Sequence, residues 1–386
     1  MRSVYLVNVS FGAAGTERRF ANLWHAFRAR GRVRPVMVIP ESQRAALVKG
    51  GALTPEADPD VWVVPELAWR HALLALVRHT PARAAGAPLR TRLTVPAFHR
   101  LWNRILADPG SVMHIGLPCT PLVPPDMPLV YECMDSTLGD LGRGHYRRAS
   151  RRPCIVNCQS GRILDGLRAA WSGHAVRWEL EMSPSYFARY LDPAACADGN
   201  RDPSRILFVG RLNPEKSPLE FLDALSMLRD RGKAYDASIL GAGPMLAAVE
   251  ARIRARSLED HVKVGHVPDV TAALARASVF VSLQTGDNYG SQALLEAMGA
   301  GCAVVASDVG ETWRLVDAAV GHRVALEPTA IADAIGALLD DPARARSLGA
   351  AASRRAREAF SAERYAEFLE GMYERARERF AAARGS

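Results

Sequence analysis

The sequence predicts an α/β protein with two doubly wound domains, each a parallel sheet covered by helices on both faces. Short apolar runs alternate with longer segments of helical periodicity along the chain, which is the pattern of repeated β–α–β units. This pattern is interrupted by a polar stretch containing Pro and Gly at Asp192–Ser204, which suits a linker. The length of 386 residues is sufficient for two domains with a full core each.

The apolar runs place the strands and the domain limits. We expect the first domain at residues 1–190 and the second at 203–361. Strands of the first domain are expected at Val4–Val9, Pro35–Ile39, Val61–Val64, Val112–Ile115, Leu129–Cys133 and Cys154–Asn157. Strands of the second domain are expected at Ile206–Val209, Ala237–Leu240, Val262–Val264, Val279–Leu283 and Ala303–Ala306.

The composition excludes several classes of protein. The hydrophobic fraction of 48% is that of a globular protein, and no apolar run is long enough to span a bilayer. The first residues do not resemble a signal peptide, since their apolar run is short and leads into a glycine turn. Six cysteines without CxxC spacing, most of them inside apolar strands, are expected to be reduced core residues. We therefore expect a cytoplasmic protein.

One motif, at Asp287–Asp308, reads as a glycine turn followed by a helix and a buried strand. Gly290 and Ser291 begin the helix, where free backbone N–H groups and the positive end of the helix dipole attract a phosphate. Glu296 follows within the helix and is placed to accept hydrogen bonds from hydroxyl groups. The motif predicts a site for a phosphate and a sugar. The alternative is a plain strand–turn–helix–strand unit in which Glu296 faces water.

A second motif, at Arg205–Lys216, is an apolar strand that ends at Gly210 and delivers two cations, Arg211 and Lys216. Open α/β sheets bind ligands beyond the carboxyl ends of their strands, so these cations are placed to meet anionic oxygens. The alternative is a pair of solvated surface cations.

These two motifs resemble the retaining family-4 glycosyltransferases of the GT-B fold. Two further segments match that family in order, a Leu-Gly-Ala-Gly-Pro turn at 240–244 and Val-Gly-His-Val-Pro-Asp at 264–269. The resemblance implies two Rossmann-like domains that face each other across a cleft. It also implies that the last helical segment, 362–386, crosses back to the first domain.

The resemblance also assigns roles to individual residues. Arg211 and Lys216 would bind the donor diphosphate, Gly290 and Ser291 would offer amides to its distal phosphate, and Glu296 would hold the ribose. The backbone at Gly265, His266 and Val267 would line the base. The other positions expected to contact the donor are Gly210, Gly241, Gly243, Tyr289 and Gln292.

The chain departs from the family at one catalytic position. The family carries two glutamates separated by seven residues, and here Asn288 stands eight residues before Glu296. In the family the first of these glutamates acts near the transferred sugar. Asn288 can still donate and accept hydrogen bonds, and Asp287 beside it could supply the missing carboxylate.

The first domain is expected to build the acceptor site. Gly12 and Gly15 lie in a turn after the first strand, similar to the family's loop near the donor phosphates. The turn lacks the third glycine of a dinucleotide fingerprint, which argues against a nicotinamide enzyme. Family members often carry a histidine that faces the reacting sugar. Asp135, after the strand ending at Cys133, and His114, at the end of the preceding strand, are the candidates for that place, although a single His is more often a core or surface group.

Charge is concentrated in the first domain. Residues 1–185 carry 24 Lys and Arg against 14 Asp and Glu. Arginines accompany Trp102 in Arg78–Arg104, which suits peripheral contact with an anionic membrane. Nucleic acid is not expected as a partner, because no nucleic-acid-binding motif accompanies the charge. A compositional preference for Arg is the alternative explanation.

These observations predict a metal-independent hexosyltransferase that moves a sugar from a nucleoside diphosphate, UDP or GDP, to a hydroxyl acceptor. No Asp-x-Asp motif lies at a strand end, and no cofactor is expected. The acceptor could be a glycan, a lipid-linked intermediate or a small molecule, reached in the cytoplasm or at the inner face of the membrane. Two alternatives remain: a donor-binding protein with a degenerate site, and an epimerase or phosphorylase of the same architecture.

Overall fold

A computed structural model describes residues 1–8, 15–65, 101–116, 123–124, 126–133, 144–186, 201–267 and 269–385. The chain divides into two compact units. The first contains Met1–Pro184 together with Ala362–Ser386, and the second contains Ser185–Ser361. Each unit has one parallel sheet with helices between successive strands, which confirms the predicted α/β fold class of two doubly wound domains.

The first unit has a seven-stranded parallel sheet in the order β3-β2-β1-β4-β5-β6-β7. Its strands are β1 Ser3–Val7, β2 Arg34–Pro40, β3 Val61–Val64, β4 Val112–Gly116, β5 Leu129–Cys133, β6 Ile155–Cys158 and β7 Glu179–Met182. Its helices are α1 Gly15–Arg30, α2 Glu41–Lys49, α3 Gly144–Ser150, α4 Gly161–Ala170 and, from the end of the chain, α11 Ala362–Gly385. Residues 101–106 are also helical.

The second unit has a six-stranded parallel sheet in the order β10-β9-β8-β11-β12-β13. Its strands are β8 Asp202–Val209, β9 Asp236–Leu240, β10 Val262–Gly265, β11 Ala277–Ser282, β12 Ala303–Ser307 and β13 Gly321–Val324. Its helices are α5 Pro218–Asp230, α6 Leu246–Ala255, α7 Thr271–Arg276, α8 Gln292–Ala300, α9 Pro328–Asp340 and α10 Pro342–Ala359.

Strand order in the second sheet reverses at β8, which pairs with β9 on one side and β11 on the other. Chain connections leave β8 and β11 toward opposite faces of such a sheet, and this switch point opens a crevice at the strands' carboxyl ends. The two sequence motifs follow these same strands, since Arg211 comes after β8 and Gly290 after β11. The topology therefore brings both motifs to one end of one sheet.

The eleven predicted strands are all present, and two further strands were missed. Both lie at a sheet edge, β7 with the sequence Glu-Leu-Glu-Met and β13 with Gly-His-Arg-Val. An edge strand is partly exposed and does not need a continuous apolar run, so the hydrophobic pattern gives no signal for it.

The final helix, α11, packs against α1, β4 and β5 of the first unit. Its buried face includes Tyr365, Leu369, Met372 and Tyr373. The four cysteines in the described residues, Cys133, Cys154, Cys158 and Cys302, are buried and form no disulfide with one another. No described helix combines the length and apolar character needed to cross a membrane.

Candidate functional site

Three loops lie side by side at the carboxyl ends of β8, β9 and β10. The backbone of Gly210 passes so close to Gly241 that a Cβ on Gly241 would lie 1.9 Å from the Gly210 carbonyl oxygen. A Cβ on Gly243 would lie 2.2 Å from the carbonyl oxygen of Leu212. The Gly241 amide also donates to the Gly265 carbonyl at 2.8 Å. Gly241 and Gly243 are thus required for loop packing, whatever else they contact.

The two cations after β8 form no ion pair with any described residue. Arg211 is exposed and Lys216 is partly buried, and neither forms a hydrogen bond or an ion pair within the described residues. Burial lowers the pKa of Lys216 to about 8, and the charge of Arg211 acts in the same direction, while Glu215 opposes both. A partly dehydrated ammonium without a partner is ready to bind an anion.

The backbone around Lys216 is held from several sides. The turn Pro214–Lys216 is a short 3₁₀ helix, and Ser217 after it adopts a left-handed conformation with φ of 46°. That conformation is costly for a residue other than glycine and persists only where the surroundings enforce it. The amide of Thr285, in the loop after β11, donates to the Glu215 carbonyl at 3.0 Å. Both motif-bearing loops are therefore joined directly.

Helix α8 begins as the sequence predicted. Ser291 is its N-cap, and the Ser291 hydroxyl accepts a hydrogen bond from the Leu294 amide. The Ser291 amide donates to the Asn288 carbonyl at 2.9 Å, so it is not free for a phosphate in this structure. The amides of the first turn that follow it have no partner within an α-helix and point out of its amino end. Gly290 is exposed, and a Cβ built on it would meet no atom within 4 Å. The approach to this helix end is open.

Asn288 is completely buried, and its amide is satisfied by protein groups. The Asn288 Oδ1 accepts from the Ser282 hydroxyl at 2.9 Å and from Gln284 Nε2 at 2.7 Å. The Nδ2 donates to the Ser307 hydroxyl at 3.0 Å and to the Ser282 carbonyl at 3.2 Å. The amide therefore uses both of its hydrogen-bonding functions to join the ends of β11 and β12.

Asp287 also joins the loops that follow β11 and β12, through hydrogen bonds to backbone amides. Its Oδ1 accepts from the backbone amides of Tyr289 at 2.9 Å and Glu311 at 3.0 Å. Its Oδ2 is buried and has no hydrogen-bond partner in the described part of the chain. Gly310 has a φ of 53°, and a Cβ there would lie 2.6 Å from the Asp287 carboxyl carbon. The loop after β12 thus closes tightly over this carboxylate.

Tyr289 and Gln292 form hydrogen bonds with the first residues of the second unit. The Tyr289 hydroxyl accepts from the Ser185 amide at 3.1 Å, and Gln292 Nε2 donates to the Tyr186 carbonyl at 2.8 Å. Burial raises the pKa of Tyr289. Both side chains were predicted to contact the donor. In this structure they form hydrogen bonds with the backbone of Ser185 and Tyr186.

An arginine and a tryptophan beside Tyr289 were missed by the sequence reasoning. The Arg314 guanidinium lies 5.9 Å from the centre of the Tyr289 ring and 4.7 Å from that of Trp313. Trp313 is 53% exposed. They belong to a short 3₁₀ helix, Thr312–Arg314, that no motif marks. In the sequence, Trp313 follows the polar residues Gly-Glu-Thr. This feature could have indicated an aromatic side chain at the surface.

The remaining donor positions lie on α8 and at the end of β10, in the same unit. Glu296 is partly exposed on α8 and has a polar interaction with the protein. Gly265 ends β10, His266 is exposed, and Val267 is 37% exposed, which leaves apolar surface beside the loop expected to line the base.

Of the four candidates in the first unit, two lie within the described residues. Gly12 and Asp135 lie outside the described residues, as does most of Arg78–Arg104, and Gly15 is the first residue of α1. His114 is fully buried. The His114 Nδ1 lies 2.8 Å from the Tyr373 hydroxyl and its Nε2 lies 2.7 Å from Glu132 Oε2. In this structure His114 is a satisfied core group, which was the alternative interpretation.

His114 belongs to a buried polar cluster that joins α11 to the sheet, formed by Arg19, His114, Glu132, Asn157, Tyr365 and Tyr373. Arg19 pairs with Glu132 at 2.9 Å and donates to the Tyr365 hydroxyl at 2.9 Å. Burial alone would favour a protonated Glu132, but Arg19 and the hydrogen bond from His114 outweigh it and hold the pKa of Glu132 at about 2. Glu132 is therefore a buried carboxylate with a structural role.

Comparison with known proteins agrees with this arrangement. The family model described as glycosyl transferases group 1 matches residues 203–341. The chain is 33% identical over 282 residues to phosphatidyl-myo-inositol mannosyltransferase of Mycolicibacterium smegmatis, covering 67% of this chain and 70% of that protein. It is 34% identical over 193 residues to the protein of the same name from Mycobacterium tuberculosis H37Rv, covering 45% of this chain and 50% of the relative. The match thus spans about half the length of this relative.

A further relative is 2-deoxystreptamine glucosyltransferase of Streptomyces kanamyceticus, 28% identical over 262 residues, with 63% of this chain and 67% of the relative covered. Among solved structures, Anabaena Alr3699/HepE in complex with UDP and glucose superposes with a TM-score of 0.70 at 16% identity, covering 97% of this chain and 100% of the other. At that identity the likeness shows the fold alone, and the predicted GT-B class is confirmed.

Proposed function

The chain belongs to the glycosyl transferases group 1, and we propose that it transfers a hexose from a nucleoside-diphosphate sugar to a hydroxyl acceptor, with retention at the transferred carbon. One observation carries this proposal. Two cations without counter-ions in the described chain, Arg211 and Lys216, and the open amino end of α8 lie in joined loops at the switch point of one sheet. A diphosphate fits this combination of charges and amides.

Charge stabilisation is the main chemical contribution that these residues can make. As the bond between sugar and diphosphate breaks, negative charge grows on the leaving group. Arg211, Lys216 and the first amides of α8 would stabilise that charge, and groups aimed at developing charge usually contribute most to the rate enhancement of an enzyme. In this proposal the cations take the part that a metal ion has in other enzymes. Glu296 would accept hydrogen bonds from the ribose, and the loop at Gly265–Val267 would take the base.

Asp287 and Asn288 are assigned to positioning. Asn288 is buried among Ser282, Gln284 and Ser307, so it supports the loop that carries Gly290. Asp287 ties this loop to the one after β12. We propose that these contacts fix the helix amides relative to the diphosphate and that Asp287 supplies the negative charge beside the transferred sugar.

We propose a cyclitol as the acceptor class. Relatives described above are named for phosphatidyl-myo-inositol and 2-deoxystreptamine, which both contain a hydroxylated cyclohexane ring. The positive charge of residues 1–185 suits an acceptor that is itself anionic or held at an anionic membrane. A phosphatidylinositol in the bilayer and a free inositol phosphate share this chemistry.

Sugar transfer with defined donors and acceptors tests the proposal. UDP-glucose, GDP-mannose and UDP-N-acetylglucosamine, each labelled in the sugar, are combined with myo-inositol, inositol 3-phosphate, or vesicles containing phosphatidylinositol. Formation of an α-linked product from an α-linked donor is expected for one donor. Donor binding without transfer to any acceptor would favour a binding protein, and a β-linked product would contradict retention. Activity with vesicles that disappears at high salt would identify the membrane acceptor, because salt screens surface charge.

Two glycine substitutions separate ligand contact from packing. Gly290→Ala places a methyl group in open space, so the free energy of unfolding should not change, whereas donor affinity should fall about 10-fold or more if a phosphate approaches the amides there. Gly241→Ala serves as the contrast, because its Cβ would overlap the Gly210 carbonyl and should destabilise the second unit. Donor affinity is measured by calorimetry and stability by thermal unfolding. Unchanged donor affinity in Gly290→Ala would remove the phosphate from this helix end.

A further inference from the structure

The first unit contains a pocket lined by the starts of several strands and by the final helix, α11. It has a volume of about 490 Å³ and opens at the amino ends of β1, β4 and β5, whereas the predicted site residues follow the carboxyl ends of strands. Its size is that of a site for a small organic ligand. Residues on its wall include Arg2, Leu106, Met127, Arg377, Phe380 and Arg384.

The pocket has an apolar side. Leu106 is 44% exposed, and Met127 and Phe380 line the same space. The Arg384 guanidinium lies 5.7 Å from the centre of the Phe380 ring and has no hydrogen bond or ion pair in the described parts of the chain. An apolar surface next to a cation favours a ligand that carries both an anionic and an apolar part.

Arg377 provides an unsatisfied donor in the pocket. Its side chain is only 10% exposed. The Nε donates to the Gly110 carbonyl at 2.6 Å and Nη1 donates to Glu374 at 2.6 Å. The Nη2 is buried and has no partner among the described residues. A buried donor of this kind is costly when left unpaired, and a ligand oxygen would satisfy it.

The acidic side chains near the pocket either contact other protein groups or lie at its rim. Glu374 is shared between Arg377 and Arg2, whose Nη1 lies 3.0 Å from Glu374 Oε2. Asp108 accepts a hydrogen bond from the Tyr5 hydroxyl at 3.1 Å, and Asp126 is exposed at the rim. The donors of the described residues that a ligand can meet in the pocket include the Nη2 of Arg377 and the guanidinium of Arg384.

We propose that this pocket binds an anionic amphiphile, in which a phosphate or carboxylate head contacts Arg377 and Arg384 and an apolar chain lies against Leu106, Met127 and Phe380. The pocket shares no residue with the proposed donor site, so we expect it to bind such a ligand in the absence of nucleotide sugar. Either a membrane lipid or a free alkyl phosphate could provide this chemistry.

Binding of three probes to the full chain tests the proposal. Octyl phosphate below its micellar concentration carries both parts of the ligand, octyl glucoside carries only the chain, and inorganic phosphate only the head. Calorimetry should show one octyl phosphate site per chain, with affinity at least 10-fold above that of either control. Equal binding of octyl phosphate and octyl glucoside, or no binding of octyl phosphate, would overturn the proposal.

Matched variants locate the site. Arg384→Gln and Leu106→Asp alter exposed side chains, so the fold should persist, and each should weaken octyl phosphate binding about 10-fold. Arg377→Gln should do the same. Arg379→Gln is the control on the same helix, since Arg379 pairs with Glu179 instead of lining the pocket, and Val176→Asp is the control for an exposed apolar residue. Binding that survives all three pocket variants would contradict the assignment.

Vesicles distinguish the two sources of the ligand. A membrane lipid is identified if the protein sediments with phosphatidic acid vesicles but not with phosphatidylcholine vesicles. Leu106→Asp should then abolish this sedimentation, and Val176→Asp should retain it. Octyl phosphate binding without such sedimentation would identify a free amphiphile. Either result supports an anionic amphiphile site.

Discussion

Lys216→Ala is expected to lower the rate of sugar transfer about 100-fold or more while the protein remains folded. The loss follows from removing one charge contact to the leaving diphosphate, and single contacts of this kind are worth two to three orders of magnitude in rate. Stability should hold because the Lys216 ammonium has no partner to lose within the described chain. The assay is initial rate of transfer with the donor identified in the screen. Lys263→Ala, which removes an exposed lysine from β10, is the matched control and should retain wild-type activity.

The depressed pKa of Lys216 gives this prediction a pH signature. With a pKa of about 8 in the free protein, Lys216 is charged below pH 8 and loses its charge as the pH rises through that value. Since kcat/KM reports the ionisation of the free enzyme, it should fall above about pH 8. Lys216→Arg should shift that decline to higher pH, because a guanidinium stays protonated. A wild-type rate in Lys216→Ala, or an identical pH profile in Lys216→Arg, would exclude Lys216 from the diphosphate site.

The sequence predicts the fold and the placement of the donor motifs well for a physical reason. A buried parallel strand needs a continuous apolar run, and a helix that receives a phosphate needs a glycine turn and a capping hydroxyl before it. Such requirements are local, so β8, β11 and the Ser291 cap can be read directly from neighbouring residues. The edge strands β7 and β13 lack the apolar run and therefore were not predicted.

Roles that depend on distant residues could not be predicted. His114 was expected at a strand end, where a reactive group could lie, but it is the middle residue of β4. Its imidazole contacts Glu132 and Tyr373, and Tyr373 comes 259 residues later. Asn288 is likewise enclosed by Ser282 and Ser307 through the pairing of β11 with β12. The residues next to His114 and Asn288 in the sequence do not indicate that these side chains are enclosed.

The buried polar cluster leads to the largest expected effect on stability. Arg19→Met should lower the free energy of unfolding of the first unit by about 3 kcal/mol or more, because it leaves the Glu132 carboxylate buried without its cation. Arg168→Met is the matched control in the same unit. It breaks the exposed pair with Asp165, and exposed pairs contribute about 1 kcal/mol or less.

Tryptophan fluorescence can follow this unfolding within the first unit. Six of the seven tryptophans precede Pro184, and Trp313→Phe removes the seventh, so denaturant titration in that background reports the first unit alone. The double variant Arg19→Met with Glu132→Gln should recover part of the lost stability, because it removes the unpaired charge while keeping hydrogen-bonding groups. Without any recovery, the loss would have to come from the packing of the arginine stem instead of from the charge.

Acid provides an independent measure of the same carboxylate. The pKa of Glu132 is about 2 in the folded protein, below its ordinary value of 4.5, so its ionised form stabilises the fold above pH 4.5. That contribution is lost as the pH falls from 4.5 toward 2, since the unfolded chain takes up the proton first. In Glu132→Gln the unfolding free energy should therefore depend less on pH over this interval than in the wild type. An equal pH dependence would mean that Glu132 is not held as a buried anion in the folded protein.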